Sequence, residues 1–581
     1  IILLKLFKYL KNYKLQSIIG PLFKLIEACF ELAVPLVMAK IIDVGIARAD
    51  KNYIISMGGV LVFLGVLGLL CSLTAQYFAA KASLGFGTEL RRDLYHHINT
   101  LSHAEIDKLG SSTLVTRMTV DINQAQTGVN MLLRLFLRSP FIVIGSIIMA
   151  FTISVKLTLI FLIAAPILGL IIYLVMTKTV PMFKNIQKKL DKTTLMVDEN
   201  LSGVRVIRAF SRQKNEEDEF HKNADELFGL QVKAGKISAL MNPCTYVIVY
   251  IAIIAIIWFG GIDVNIGGIT QGELIALTSY MNQILLALLA VAVLVTSITR
   301  AQASSIRINE VFQYKTSVSD EGNQTVNENE NSPRVIFDNV TFSYNDSEEP
   351  ALKNITFTAE KGETVGIIGG TGSGKSTLVN LMPGFYRYRS GKLLIDGYET
   401  GKYPFEQLRH KIGIVPQRAV LFKGTIRENM QWRDKNASDE EIYKALEIAQ
   451  ALEFVNAKPE KLDHMIMQEG KNLSGGQRQR LTIARALVGS PEILILDDSA
   501  SALDLSTDAK LRRAIAEKTQ DMTVFIVSQR ISSIRNADKI IVLDDGEIAG
   551  TGTHSQLLNN CAVYREICLS QLSAEEVAEN G

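Results

Sequence analysis

The sequence predicts two structural classes in one chain: an all-α domain of six membrane spans with long cytoplasmic helical extensions, and an α/β domain after it. Long apolar runs are confined to residues 1 to about 310, whereas short apolar strands alternate with helical patterns after 333. The stretch between them, KTSVSDEGNQTVNENENSP, is polar and aperiodic, which is typical of a linker. We therefore expect a membrane domain at 1–314, a linker at 315–333, an α/β domain at 334–572 and a tail at 573–581.

Composition agrees with a membrane protein that carries a large water-exposed part. The chain has 581 residues, enough for two or more domains, and 48% of them are hydrophobic. Its mean hydropathy of +0.19 is high for a soluble protein. The net charge of +2 indicates no nucleic-acid partner, and the five cysteines form no CxxC pair or metal-binding spacing.

Six segments are candidates for membrane spans. Five are apolar runs near the ~20 residues that cross a bilayer, or reach that length with their flanks: Tyr53–Ala80, Ser139–Val155, Leu157–Met176, Tyr246–Phe259 and Ile284–Ile298. The sixth, residues 15–43, is a weaker candidate because it carries Lys24, Glu27 and Glu31. Counting it gives six spans.

Basic residues predict the orientation of these spans. They are concentrated in the long segments 81–126 and 178–240, whereas the short loops around 44–52 and 262–271 carry little positive charge. The positive-inside rule places the long segments and both termini in the cytoplasm, so the chain is expected to be a multi-pass protein of the cytoplasmic membrane. Both long segments have helical, polar patterns that extend the membrane helices below the bilayer.

The three charges of the weakest span share one helical face, since they are spaced i, i+3 and i+7. Ionisable side chains in a membrane usually face a cavity or a partner. One interpretation is a site for cationic or amphipathic substrates. The other, which we favour, is a Lys24–Glu27 ion pair along the helix, with Glu31 bonded to a neighbouring span.

A phosphate-binding motif opens the α/β domain. The segment GGTGSGKS fits G-x-x-x-x-G-K-S/T, follows the apolar strand TVGII and precedes the helical STLVNLM. Its glycines let backbone N–H groups approach phosphates, Lys375 reaches the outer phosphates, and Ser376 ligates Mg²⁺. Asp497, at the end of the strand ILIL, is expected to contact the metal through its water shell. ATP and Mg²⁺ are the predicted ligands, bound by these residues and by Gly369, Gly370, Thr371, Gly372, Ser373, Gly374 and Thr377.

A second motif, LSGGQ, gives the domain its family resemblance. It comprises Leu473, Ser474, Gly475, Gly476 and Gln477, and it lies before a helix about twenty residues ahead of ILIL. Alone, such a run is often only a turn. Together with the phosphate loop it resembles the ABC ATPases, and six spans followed by this domain resemble a half-transporter of the type IV ABC exporters.

That resemblance implies roles for further residues. Tyr344 would stack on adenine, and Gln417 would sense the γ-phosphate and Mg²⁺ as a further metal contact. LSGGQ would contact ATP held by a partner subunit, and Asp504 would touch across the dimer interface. The segments 104–109 and 199–210 resemble the two coupling segments that transmit closure of the ATPase domains to the spans.

Two positions depart from the family pattern. Asp498 stands where the family has the Glu that polarises the attacking water, and Gln529 stands where it has the switch-loop His. A carboxylate one methylene shorter lies roughly 1 Å from the required place, and such a misplacement can cost about 100-fold in rate. Gln529 hydrogen-bonds but cannot carry positive charge or shuttle a proton. The chain thus resembles the degenerate-site half of a heterodimeric multidrug exporter, whose intact LSGGQ completes the partner's site.

These patterns leave alternatives open. The main interpretation is ATP-driven export of hydrophobic or amphipathic small molecules by a heterodimer with a second half-transporter. The others are a homodimer that tolerates Asp498 and Gln529, export of lipid or peptide by the same machine, and an ATP-sensing regulator. The intact LSGGQ and the matching coupling segments argue against the regulator.

Overall fold

The computed structural model describes residues 5–318, 331–344, 347–499 and 502–571. It divides into two compact units. The first comprises Ile1–Ile98 and Ser112–Gln313, and the second comprises Asn99–Ser111 and Tyr314–Gly581. The expected tail at 573–581 and positions 319–330 of the expected linker lie outside the described residues.

The first unit is helical among the residues described. Its helices, together with one short helix that belongs to the second unit, are α1 (Lys14–Lys40), α2 (Lys51–Thr100), α3 (His103–Leu109, second unit), α4 (Ser111–Thr116), α5 (Ile122–Leu135), α6 (Arg138–Ile153), α7 (Val155–Ser202), α8 (Val204–Ala209), α9 (Gln213–Ala239), α10 (Met241–Asn265) and α11 (Gln271–Gln313).

Five helical stretches of the described chain are long and apolar enough to cross a membrane: Lys51–Thr100, Ser111–Ile153, Val155–Ser202, Gln213–Asn265 and Gln271–Gln313. They contain four of the five clearest predicted spans in full, and the remaining one, Ser139–Val155, as far as Ile153. Helix α1 has 27 residues, which gives about 40 Å of length. It is not among the five stretches, and it is the helix that carries the three charges noted above. The sixth span therefore stays a prediction.

The charges on α1 are paired inside the first unit. The Lys24 Nζ lies 2.6 Å from Glu27 Oε2 and 3.2 Å from Ser72 Oγ of α2. The Glu31 carboxylate accepts a hydrogen bond of 2.7 Å from Arg138 Nη2, at the start of α6. These are the contacts of the favoured interpretation, an ion pair along the helix and a bond to a neighbouring one.

The described residues of the second unit form three sheets. Their strands are β1 (Val335–Phe342), β2 (Leu352–Ala359), β3 (Thr364–Gly369), β4 (Ser390–Ile395), β5 (Tyr398–Glu399), β6 (Ile412–Val415), β7 (Gly424–Thr425), β8 (Met465–Ile466), β9 (Ile493–Asp497), β10 (Thr523–Val527), β11 (Lys539–Asp544) and β12 (Glu547–Gly552). The central sheet has the order β12-β11-β3-β10-β9-β6, and all its neighbours pair in parallel except β11 and β12. An antiparallel sheet of order β2-β1-β4-β5 and the small β7-β8 pair complete the set.

Helices alternate with the strands of this unit, as the sequence pattern predicted. They are α12 (Lys375–Leu381), α13 (Phe405–Lys411), α14 (Ile426–Met430), α15 (Asp439–Ile448), α16 (Leu452–Asn456), α17 (Gly475–Leu487), α18 (Leu505–Lys518), α19 (Ile531–Ile534), α20 (His554–Asn560) and α21 (Ala562–Gln571). Strand β9 is buried along its whole length, as expected for a parallel strand with both faces covered.

A cluster of four charges joins the two larger sheets. Asp396, which follows β4 and is 1% exposed, accepts hydrogen bonds from Arg334 Nη1 at 2.7 Å and Lys411 Nζ at 3.0 Å. Both cations also contact Glu492, which precedes β9, and the Lys411–Glu492 distance is 2.9 Å. Loss of one partner would leave the others with a buried, uncompensated charge, which is strongly destabilising.

Candidate functional site

The candidate site lies at the carboxyl ends of three adjacent parallel strands, where ligands bind in open α/β sheets. Strands β3, β10 and β9 are neighbours, and the phosphate loop, Gln529 and Asp497 follow or end them in that order. A cavity of about 300 Å³ opens at this edge. It is lined by Tyr344, Ala351, Thr371, Gly372, Gly374, Lys375, Ser376, Thr377, Gln417, Asp497, Asp498, Val527, Ser528 and Gln529.

The phosphate loop takes a shape that requires glycine. Gly374 has φ +95°, and a Cβ there would lie 2.7 Å from the Leu352 side chain. The Lys375 Nζ donates to the carbonyls of Gly369 at 3.0 Å and Gly370 at 2.6 Å, so the ammonium is held within the loop. Burial lowers the pKa of Lys375, while Asp498 and Asp497 act to raise it.

Two oxygen donors for a hard cation lie side by side in the cavity. The Ser376 hydroxyl donates to Asp497 Oδ1 at 2.9 Å. Burial raises the pKa of Asp497, the hydrogen bond from Ser376 lowers it, and the Asp498 carboxylate raises it further. A hydroxyl and a carboxylate that share a site with nucleotide phosphates fit the oxygen ligand set of Mg²⁺.

The two departing positions lie in this same cavity. Asp498 directly follows β9 in a left-handed conformation with φ +45°, and its N–H donates to the Val527 carbonyl at 2.9 Å. Gln417 Nε2 lies 3.5 Å from Asp498 Oδ2. Burial raises the pKa of Asp498, and Gln417, Arg530 and Lys375 lower it. The Gln529 side chain is exposed and lines the cavity wall.

Tyr344 also lines the cavity. Its ring is 37% exposed and meets the rings of Phe342 and Tyr386 edge to face, with centroid distances of 4.7 Å and 5.4 Å. Its hydroxyl lies 3.0 Å from Thr377 Oγ1, and burial raises its pKa. The tyrosine is thus fixed to the helix that begins with the phosphate-loop lysine.

The LSGGQ residues lie elsewhere among the described residues, and none of them lines the cavity. Ser474 caps helix α17 in a reciprocal arrangement. Its N–H donates to Gln477 Oε1 at 3.1 Å, and the Gln477 N–H donates to Ser474 Oγ at 3.3 Å. Apart from Gly475 itself, its chain neighbours and its own helix backbone, no described atom lies within 4 Å of where a Cβ on Gly475 would be, whereas a Cβ on Gly476 would lie 3.4 Å from the Ala502 carbonyl. Asp504, which caps α18 by accepting from the Thr507 N–H at 3.0 Å, also lies outside the cavity.

Both segments expected to couple the domains form short helices. Helix α3 lies against the α/β domain: the Tyr386 hydroxyl donates to Asp107 Oδ2 at 2.7 Å, and the His103 ring stacks on Phe385 with centroids 4.3 Å apart. Burial lowers the pKa of His103. Sequence reasoning missed Tyr386, which contacts both Asp107 and Tyr344, because no motif marks it.

Helix α8 forms the second of these segments, within 199–210. It has no buried residue, and the apolar side chains of Leu201, Val206 and Phe210 on and beside it are exposed. Contiguous exposed apolar side chains are found on surfaces that contact another protein or a membrane.

Comparisons with known proteins agree with this architecture. Residues 17–288 match the family model of the ABC transporter transmembrane region, and residues 352–501 match the family model described as ABC transporter. The chain is 38% identical over 571 residues to the uncharacterized ABC transporter ATP-binding protein YfiB of Bacillus subtilis, covering 98% of this chain and 99% of that one.

Two further relatives have more specific names. The probable multidrug resistance ABC transporter ATP-binding/permease protein YheI of Bacillus subtilis is 32% identical, with 97% of both chains covered. The ATP-dependent lipid A-core flippase of Hahella chejuensis is 30% identical, with 97% of this chain and 99% of the flippase covered. The chain belongs to the ABC transporters and is a half-transporter of the type IV exporter class, with a helical transmembrane domain fused to an α/β ATPase domain.

Proposed function

We propose that this ABC exporter is the degenerate-site half of a heterodimer. Its own site would bind ATP and Mg²⁺ and hydrolyse ATP poorly, while its LSGGQ would complete a competent site on the partner's phosphate loop. ATP binding would close the two ATPase domains and switch the spans from inward-open to outward-open. Hydrolysis at the partner's site would reset them.

The observation that carries this proposal is the shared location of Asp498 and Gln529. They follow neighbouring parallel strands, with Asp497 paired to Val527, and both line one cavity. A single attacking water would therefore contact two altered side chains: the shortened carboxylate of Asp498, and Gln529, which cannot take up a proton. Two changes at one water support loss of hydrolysis more strongly than two unrelated substitutions.

The parts expected to bind ATP support the other half of the proposal. Lys375, Ser376 and Asp497 line the cavity with the geometry described above, and Tyr344 lines it too. The start of helix α17, which carries LSGGQ, lies outside that cavity. A chain that keeps the residues proposed to bind ATP, and that supplies an intact LSGGQ to its partner, can function in a dimer that hydrolyses ATP only at the partner's site.

The membrane half is proposed to contain six spans, with α1 as the first, and to bury its charges through the contacts of Lys24 and Glu31. The domain boundaries expected from the sequence are kept as part of this proposal. The ATPase domain and both termini would face the cytoplasm, in line with the basic residues of 81–126 and 178–240. The exposed apolar side chains around α8 would dock on the ATPase domain of the partner.

The proposed substrates are hydrophobic or amphipathic small molecules. The named relatives point to this class, since one is a probable multidrug resistance transporter and another is a lipid A-core flippase. Fluorescent amphipathic cations and fluorescent lipids, each tested in proteoliposomes that contain the heterodimer, would separate a multidrug exporter from a lipid flippase.

Steady-state ATP turnover in nanodiscs tests the proposal, measured for this chain alone and with its candidate partner. We expect negligible turnover alone and robust turnover of the pair, which survives Asp498→Ala here and is lost on Glu→Gln at the matching position of the partner. The partner should carry Glu and His where this chain has Asp498 and Gln529. Comparable turnover by this chain alone would instead establish a homodimer.

A further inference from the structure

The last described helix ends on the loop that carries Gln529. The Gln571 side chain at the end of α21 donates from Nε2 to the Gln529 carbonyl at 2.7 Å. Its Oε1 accepts from the Ile531 N–H at 3.0 Å. One amide thus uses both its donor and its acceptor on the same loop and brackets Arg530 between them.

Two further hydrogen bonds of this loop lie on either side of position 529. The Ser528 N–H donates to the Ile367 carbonyl of β3 at 3.1 Å, and the Arg530 N–H donates to Ser528 Oγ at 2.9 Å. These bonds fix the loop before and after position 529. The Gln571 amide bonds to the carbonyl of residue 529 itself.

Helix α21 is anchored firmly enough to act as a support. Tyr564 and Cys568 are fully buried in a cluster that includes Ile531 and Ile534, directly after the loop. The Tyr564 hydroxyl also lies 2.7 Å from His554 Nδ1. Gln571 itself is exposed, but the helix that carries it is fixed by this core, and its amide is held by the two bonds to the loop.

We propose that Gln571 is a positioning residue of the ATP site, and that the C-terminal helix sets where the side chain of residue 529 lies relative to the Asp498 carboxylate. This rests on the proposed function in one respect only: the consequence for turnover is visible where the site hydrolyses ATP. The hold on the loop itself is independent of how active the site is.

The first test measures hydrogen exchange of the full chain in nanodiscs, for Gln571→Met, Gln571→Glu and the control Ser570→Ala. Met removes both hydrogen bonds at similar length, so the Ile531 amide should exchange about fivefold faster. Glu keeps the acceptor for that N–H and should retain its protection. The Ser570 hydroxyl bonds to Ile567 within the same helix, so Ser570→Ala should match the wild type. Unchanged exchange in Gln571→Met, with the helix still protected, would overturn the proposal.

The second test measures turnover in an Asp498→Glu/Gln529→His background with the partner's site silenced. Gln571→Met and Gln571→Glu should each lower kcat about tenfold. Both lose the hydrogen bond to the backbone carbonyl of residue 529, so the side chain at that position can shift by a fraction of an ångström. KM for ATP should stay within about twofold, since the residues proposed to bind the phosphates are untouched. Equal kcat in all variants would overturn the positioning role. If the wild-type chain alone already hydrolyses ATP rapidly, the degenerate-site proposal fails, and the Gln571 variants are then tested directly in the wild-type background.

Discussion

Restoring the two altered side chains should restore hydrolysis at this chain's own site. The perturbation is Asp498→Glu together with Gln529→His, in complex with a partner whose own catalytic Glu is replaced by Gln. Both positions line the cavity that holds Lys375 and Ser376, and neither change replaces a side chain proposed to bind the phosphates or the metal.

The expected magnitude follows from the geometry at position 498. One added methylene extends the carboxylate by about 1.5 Å, and a misplacement of about 1 Å costs roughly 100-fold in rate. The backbone there has φ +45°, a left-handed conformation that Asp adopts more often than most residues. Glu is therefore expected to be less stable in this conformation than Asp. Backbone relaxation worth about 1 kcal/mol would withdraw the carboxylate and lower the gain about fivefold. We therefore expect about a 20-fold gain.

The assay is steady-state ATP turnover in nanodiscs, with fluorescent ATP binding measured on the same samples. The single variants serve as controls and should each give less than the pair, because one water needs both groups. Unchanged turnover of the double variant, with ATP binding intact, would refute the reasoning that these two side chains limit the site.

Three further predictions concern other contacts. Tyr386→Phe removes the hydroxyl bonded to Asp107 and keeps the ring. Substrate-stimulated ATP turnover should fall in an ATPase assay, because a hydrogen bond to a carboxylate contributes about 1.5–3 kcal/mol. ATP affinity, measured by a nucleotide titration, should stay within about twofold. A double-mutant cycle of Glu31→Gln and Arg138→Gln, read by thermal unfolding in detergent, should give a coupling of about 1–2 kcal/mol, between exposed and buried pairs; additive effects would show that the pair contributes nothing. Because burial raises the pKa of Asp497, the Mg²⁺-dependent part of ATP binding should weaken as the pH falls, beginning at a pH above the ordinary pKa of aspartate. ATP binding without Mg²⁺ is the control, and Asp497→Asn should abolish this dependence on pH.

Local patterns were sufficient to predict where the candidate site forms. Each of its parts directly follows an apolar strand, and parallel neighbours deliver their carboxyl ends to one edge of the sheet. The phosphate loop, Asp498 and Gln529 meet there because β3, β9 and β10 are adjacent. The ion pair of Lys24 and Glu27 was equally accessible, since it depends only on helical spacing.

Contacts between distant, unpatterned residues could not be predicted in this way. Gln571 lies 42 positions after Gln529, and Tyr386 lies 279 positions after Asp107. Nothing in periodicity or turn chemistry brings either pair together, since both depend on how complete elements pack. The first span is ambiguous for a different reason: hydropathy treats every charge as a penalty and cannot see that Lys24 and Glu31 have partners.

The four-charge cluster has a consequence for how the ATPase domain bears load. Arg334 stands immediately before β1, and through Asp396, Lys411 and Glu492 it is fastened to elements of both larger sheets. A force applied to the chain ahead of Arg334 is therefore transmitted through the four-charge cluster to both sheets, and not to the end of β1 alone. Under tension the domain would turn as a single piece before β1 could peel away.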